Sequence, residues 1–200
     1  PELVTIKAMG ESFKPRTQSL ADWRRTQEIF RTAVSDPALA SVEIREGDFR
    51  DPGVLQSSER FDLVLGSPPY FPVGTGVEGD HPQKVACRFE LRGDIGDYAR
   101  VAAAHLAPGG VFACVFPAAQ AERVERAARE ASLSIVRRRP VVFREHEPPL
   151  VELFAMTRRD DFPDSVRDRT WVEPALVIRT SDGRVHPEYA AVKLAIGFPP

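Results

Sequence analysis

The residues best suited to chemistry stand together at Ser67-Pro68-Pro69-Tyr70, directly after the apolar run Phe61-Asp62-Leu63-Val64-Leu65. Prolines lock their own backbone torsions, so the Ser67 hydroxyl and the Pro68 carbonyl become preorganised hydrogen-bond acceptors beside an aromatic ring. Taken alone, such a tetrapeptide is a stiff turn. Its position at the end of a buried-type strand points to more. A second strand ends at Gly47-Asp48, and the turn Pro108-Gly109-Gly110 feeds a third. Ligands of open α/β sheets sit at the carboxyl ends of the strands, so this placement indicates an enzyme site.

The elements that must position these residues follow from periodicity. Strands are expected at Leu3 to Ala8, Val42 to Ile44, Phe61 to Leu65, Val111 to Phe116, Ser134 to Val142, Leu150 to Met156 and Leu176 to Ile178. The pair Ser134 to Val142 and Leu150 to Met156, joined by a Glu/Pro-rich connection, reads as a hairpin. Helices are expected where Leu20, Trp23, Ile29, Phe30 and Val34 share a face, then at Asp97 to Leu106, Ala119 to Ala131 and Pro187 to Leu194. Phe71 to Gly96 is rich in Gly, Pro and charge and reads as a long loop, a length that usually signals function or disorder. Ser181-Asp182-Gly183 is a turn. Strands alternating with helices argue for an α/β fold with a mostly parallel sheet.

Composition narrows the classes. The chain has 200 residues, 42% hydrophobic and 28% charged, the range of a globular domain rather than a disordered one. No apolar run reaches the ~20 residues of a spanning helix, and the start shows no secretory leader, so a cytoplasmic location without membrane contact is expected. The chain also lacks an initiator Met, which suggests that it is processed, trimmed or incomplete. Cys87 and Cys114 form neither a metal-spaced pair nor a disulfide framework. His81, His105, His146 and His186 do not fall at metal spacing with carboxylates, and no metal is expected. The formal net charge of −2 supplies no positive field for nucleic acid, so such a partner needs a local patch. The runs Arg137-Arg138-Arg139 and Arg158-Arg159 read as a solvated strand end or loop. Trp23 and Trp171 read as core or interface.

The Ser67-Pro68-Pro69-Tyr70 tetrapeptide resembles the (Asn/Asp/Ser)-Pro-Pro-(Tyr/Phe) motif of methyltransferases that use S-adenosylmethionine to methylate planar amino groups. The resemblance implies a Rossmann-like class I methyltransferase with a mostly parallel sheet and a C-terminal antiparallel hairpin. It also assigns roles. A conjugated amine is a poor nucleophile because its lone pair is delocalised. Ser67 and Pro68 would accept its N–H hydrogens, Pro69 would stiffen the loop, and Tyr70 and Phe71 would receive the base, with stacking worth about 1–3 kcal/mol. Glu46-Gly47-Asp48-Phe49 is similar to the segment whose Asp holds the cofactor's adenine amine and whose next residue packs on its ring, with Ser67 also beside the cofactor. Leu106 to Phe112 resembles the family's strand entry.

Val85-Ala86-Cys87-Arg88-Phe89-Glu90 and the tail Leu176-Val177-Ile178, Asp182-Gly183 and Pro187-Glu188-Tyr189 are similar to the bacterial tRNA adenine-N6 methyltransferases, which modify an adenine beside the anticodon of a valine tRNA. This similarity spans roughly residues 42 to 198. It implies one methyltransferase-like domain over 1–200, with a divergent part at 1–41, a core at 42–157 and an extension at 158–200. Lys84, Arg88 and Arg92 would then hold tRNA phosphates in a salt-dependent manner; as loop charges they are equally at home in solvent.

Three departures accompany the resemblance. Ser67 stands where the family usually has Asn, which also suits cytosine-N4 enzymes. The first strand and its Gly-rich loop are missing, Gly10 being the only glycine before Gly47. The acid expected to bind the ribose hydroxyls aligns with Lys7, or with Glu11 after a register shift; Lys is no acceptor. Methylation of a protein glutamine amide and a non-catalytic domain that binds RNA or protein are the rival readings.

Overall fold

The computed structural model describes residues 45, 47–72, 74, 89–90, 93–196 and 198. Expectations for Leu3 to Ala8, the helix around Trp23, Val42 to Ile44, Lys7, Glu11, His81, Lys84, Cys87, Arg88 and Arg92 lie outside these residues. The chain divides into two compact units, Pro1–Phe61 with Phe71–Arg92, and Asp62–Tyr70 with Gly93–Pro200.

The second unit holds most of the described structure. Strand β1 (Phe61–Gly66) runs into the Ser-Pro-Pro-Tyr loop. Helix α1 (Ile95–His105) leads directly into β2 (Leu106–Pro117). A single 3-10 turn at Ala118–Gln120 opens onto α2 (Ala121–Glu130). Strands β3 (Leu133–Arg144) and β4 (Val151–Arg158) follow. The tail supplies β5 (Trp171–Val172), β6 (Leu176–Arg179) and α3 (Pro187–Ala195). Among the described residues the sheet has six strands in the order β1-β2-β4-β3-β5, with β6 also on β3.

Strand β4 lies between β2 and β3 and is antiparallel to both, with Phe112 opposite Met156 and Pro140 opposite Glu152. The expected hairpin is therefore present. Strands β5 and β6 pair with β3 in the parallel sense, which makes the sheet mixed.

Period-two alternation builds the core. Phe112, Cys114 and Phe116 of β2 and Phe154 and Met156 of β4 are buried on one face of the sheet. They pack with Ile95, Ala99 and Ala102 of α1 and Val124, Ala127 and Ala128 of α2 in one cluster. The 3.6-residue spacing of those helical positions is the apolar stripe that such a face requires.

Helix α1 starts two residues before the expected Asp97. A capping box explains the difference: the Asp94 carboxylate accepts from the Asp97 N–H at 3.0 Å, and the Asp97 carboxylate accepts from the Asp94 N–H at 3.0 Å. Pro108-Gly109-Gly110 is not a turn ahead of a strand. It lies inside β2, which begins at Leu106; Gly109 interrupts the extended backbone with a φ of +73°, and its N–H donates to Asp161 Oδ2 at 2.9 Å.

Two readings are corrected. The Arg137–Arg139 run is neither a strand end nor a loop: it sits within β3, and each guanidinium is paired. Arg137 bonds Glu173, Arg139 bonds Glu188 and the Pro174 carbonyl, and Arg138 bonds Glu152 and Glu125. Alternation sends Arg138 toward α2 and its two neighbours toward the tail, so one run fastens both. Trp171 is not core. It is 61% exposed, with the Arg137 guanidinium 5.0 Å from its ring centroid.

Candidate active site

The Ser67–Tyr70 loop leaves the end of β1 over a tightly packed floor. Gly66 makes this possible. A Cβ at Gly66 would lie 2.9 Å from Tyr98 Cδ1 and 3.2 Å from Phe112 Cε2. Only a residue without a side chain lets the strand end approach both rings. Beyond it Ser67 is exposed, Pro68 is fully buried, and Pro69 and Tyr70 are half-buried. The buried Pro68 pins the loop by packing, while Ser67 remains open to solvent.

Tyr70 is held at both its ring and its backbone. Its ring meets Phe116 edge to face, with centroids 5.6 Å apart and planes at 79°, a favoured aromatic geometry. Its carbonyl accepts from Arg123 Nη1 at 3.3 Å, and the same nitrogen donates to Gln120 Oε1 at 2.8 Å. The Arg123 guanidinium also lies over Phe116, 5.5 Å from the centroid.

In the first unit, Gly47 approaches Val54 so closely that a Cβ would lie 2.4 Å from Val54 Cγ2. The tight loop it allows presents Asp48. The carboxylate accepts from the backbone N–H and Nε of Arg50, each at 2.9 Å, and from Arg50 Nη2 at 2.5 Å. Arg45 braces the segment by pairing with Glu59 at 2.5 Å and donating to the Val54 carbonyl at 2.9 Å. Phe49 is half-buried. Phe71 bridges to Phe89, with ring centroids 5.9 Å apart, and its carbonyl accepts from the Glu90 N–H at 2.9 Å.

The expected catalytic residues Ser67, Pro68, Pro69 and Tyr70 thus share one loop of the second unit, whereas Asp48, Phe49 and Phe71 belong to the first. The residues that hold the loop, Gly66, Tyr98, Phe112, Phe116, Gln120 and Arg123, were not signalled by sequence. Arg123 stands 53 positions from its Tyr70 partner, beyond the reach of any local pattern.

Other polar features of the domain are structural. Cys114 is buried among apolar side chains, which pushes its thiol up to about 12, so it stays protonated and inert. A cleft of about 190 Å³ between α2 and β3 includes Arg138, Arg159 and Arg167. These three guanidiniums are balanced by Glu125, Asp168 and Asp164 respectively. Ser134 lines the cleft, but its hydroxyl is itself buried. Among the described residues no group of His, Cys, Asp and Glu could hold a metal ion, and no helix is long and apolar enough to cross a membrane.

Searches of family models and of curated proteins match nothing. Solved structures do match. A predicted O-methyltransferase from Agrobacterium tumefaciens superposes with a TM-score of 0.60 at 15% identity, over 99% of this chain and 78% of that one. A modification subunit of a putative type I restriction enzyme from Vibrio vulnificus scores 0.41 at 13% identity, over 76% of this chain and 35% of that one. The protein M1.HpyAVI scores 0.43 at 13% identity, over 79% and 75%. The first of these shows the fold: this chain has the Rossmann-like α/β fold of a methyltransferase.

Proposed function

We propose that this protein is an S-adenosylmethionine-dependent N-methyltransferase acting on an exocyclic amino group, namely adenine N6 in a tRNA, in the cytoplasm. The observation that carries the reading is the Ser67–Tyr70 loop. It stands at the end of β1, with Pro68 fully buried and Ser67 exposed, in a chain that has the methyltransferase fold. The loop presents one exposed acceptor, the Ser67 hydroxyl, beside the half-buried Tyr70 ring, a combination suited to a planar amine. Support for adenine and for tRNA comes from the sequence resemblance.

The residues present suit the cofactor's chemistry. Asp48 carries a half-exposed carboxylate, an acceptor of the type an adenine amine needs, and Phe49 follows it. By the sequence resemblance, Asp48 and Phe49 are the residues that would hold its adenine. When bound, S-adenosylmethionine supplies a methyl group already activated by a sulfonium charge. The chain's own task is then positioning. Ser67 Oγ and the Pro68 carbonyl accept the two amine hydrogens and favour a pyramidal nitrogen with its lone pair directed outward. Tyr70 stacks the base. Orientation of this kind supplies several orders of magnitude in rate without a strong general base.

Calorimetric titration with S-adenosylmethionine and its demethylated product, followed by labelled-methyl transfer to unmodified tRNA, tests the reading. One-to-one binding with label recovered in N6-methyladenine supports it. Folded protein that binds neither compound refutes it. Label recovered in cytosine or in a glutamine amide would reassign the substrate.

A further inference from the structure

We propose that Arg123 is the positioning residue of the methyl-transfer loop, fixing Tyr70 and through it the two acceptors that precede it; this inference rests on the N-methyltransferase reading. Arg123 lies in the first turn of α2, and among the described residues its guanidinium makes these contacts. It donates to the Tyr70 carbonyl at 3.3 Å, donates to Gln120 Oε1 at 2.8 Å, and lies 5.5 Å over the Phe116 ring. Phe116 is fully buried and meets the Tyr70 ring edge to face at 5.6 Å. Tyr70 is thereby held twice, by its backbone directly and by its ring through Phe116.

The consequence follows from chain geometry. Between β1 and Tyr70 the loop contains only Ser67, Pro68 and Pro69, and both prolines have fixed φ torsions. With Pro68 buried and the Tyr70 carbonyl pinned, little freedom remains in Ser67 and the Pro68 carbonyl. Their separation and direction are then set before substrate arrives. A misplacement of about 1 Å in such a constellation costs on the order of 100-fold in rate. Lysine cannot replace this guanidinium in full, because an ammonium lacks the planar surface for stacking and the fork that serves two acceptors. In this proposal Arg123 acts through Tyr70 and not on the reacting atoms, so its loss should leave cofactor binding intact.

The test compares wild type with Arg123→Ala, Arg123→Lys and Gln120→Ala, and with Arg126→Ala as a control on the exposed side of the same helix. The first readout is the spectrum of protein labelled with carbon-13 tyrosine, which carries only three rings, Tyr70, Tyr98 and Tyr189. Arg123→Ala should move the Tyr70 ring signal and leave Tyr189 in place, while Arg126→Ala moves neither. The second readout is the split of steady-state constants. With Arg123→Ala, kcat should fall by about 10- to 100-fold while KM for S-adenosylmethionine stays within about twofold, and Arg123→Lys should recover part of kcat. Unchanged Tyr70 signals, or unchanged kcat in folded Arg123→Ala, would overturn the proposal. So would a loss of kcat matched by an equal rise in the cofactor KM. If Arg123→Ala fails to fold, the same criteria apply to Arg123→Lys and Gln120→Ala. A wild-type protein that transfers no methyl group sinks the function proposed above, and the tyrosine spectra then decide the clamp separately.

Discussion

Gly66→Ala offers a direct test of how the site is supported. The new Cβ would stand 2.9 and 3.3 Å from Tyr98 Cδ1 and Cε1 and 3.2 Å from Phe112 Cε2. Carbon atoms in good contact are about 3.5–4.0 Å apart, so several tenths of an ångström must be absorbed. Neither neighbour gives easily. Phe112 is fully buried, and Tyr98 packs against the same cluster. Overpacking of this kind costs about 1–3 kcal/mol. Against it, alanine restricts the unfolded chain and returns about 0.4–1 kcal/mol. At the middle of both ranges strain wins, with a net loss of about 1–2 kcal/mol. For a chain of this size that lowers Tm by about 2–8 °C, at about 2–4 °C per kcal/mol. Thermal unfolding followed by far-ultraviolet circular dichroism reads the shift. Tyr98→Leu, which removes the nearest ring, should couple with Gly66→Ala by about 0.5 kcal/mol or more in a double-mutant cycle. An unchanged or higher Tm for Gly66→Ala, or strict additivity of the pair, would refute the packing argument. Because Ser67 follows Gly66, the variant should also transfer methyl groups more slowly than its loss of stability explains.

Three further outcomes are expected. Ser67→Ala and Tyr70→Ala should each abolish turnover while calorimetry finds cofactor affinity nearly intact; equal loss of cofactor binding in both would mean their roles are misassigned. Cys114 should resist alkylation at pH 8 in native protein and react once urea unfolds it, as peptide mass mapping would show. Its unfolded thiol titrates near 9.0 and its folded thiol near 12, so the stability it contributes is complete below pH 9 and lost as pH rises toward 12. Urea midpoints should therefore fall more steeply with pH than in Cys114→Ala. The Asp161 carboxyl is held below its ordinary value by the hydrogen bond from Arg158 and by the Gly109 N–H. Its contribution is present above the ordinary carboxylate pKa and fades as pH falls through the lowered one. Asp161→Ala should cost about 1 kcal/mol or less near neutral pH and flatten the acid limb of the stability profile; an unaltered acid limb would show that the bond to Gly109 is idle.

The parts legible from sequence were those written in local terms. Period-two and period-3.6 patterning located β1, the β3–β4 hairpin, β6 and the three helices to within a few residues, because each element buries one face of its own. The tetrapeptide was legible for the same reason: its acceptors, its stiffness and its ring are contiguous. What sequence could not show was partnership at a distance. Strand β4 enters the sheet between β2 and β3 because Phe154 and Met156 complete the layer begun by Cys114 and Phe112, and no local propensity encodes that order. The three consecutive arginines of β3 look alike in sequence, yet pleating sends one to Glu152 and two to the tail. Gly66 looks like an ordinary strand breaker until two rings from other elements crowd it. Arg123 looks like a solvated helix charge until folding brings the carbonyl of Tyr70 within reach. Sequence determined which groups could do the chemistry. Tertiary packing alone decided what holds them still, since the contacts that remove their freedom come from residues ~30 to ~50 positions away.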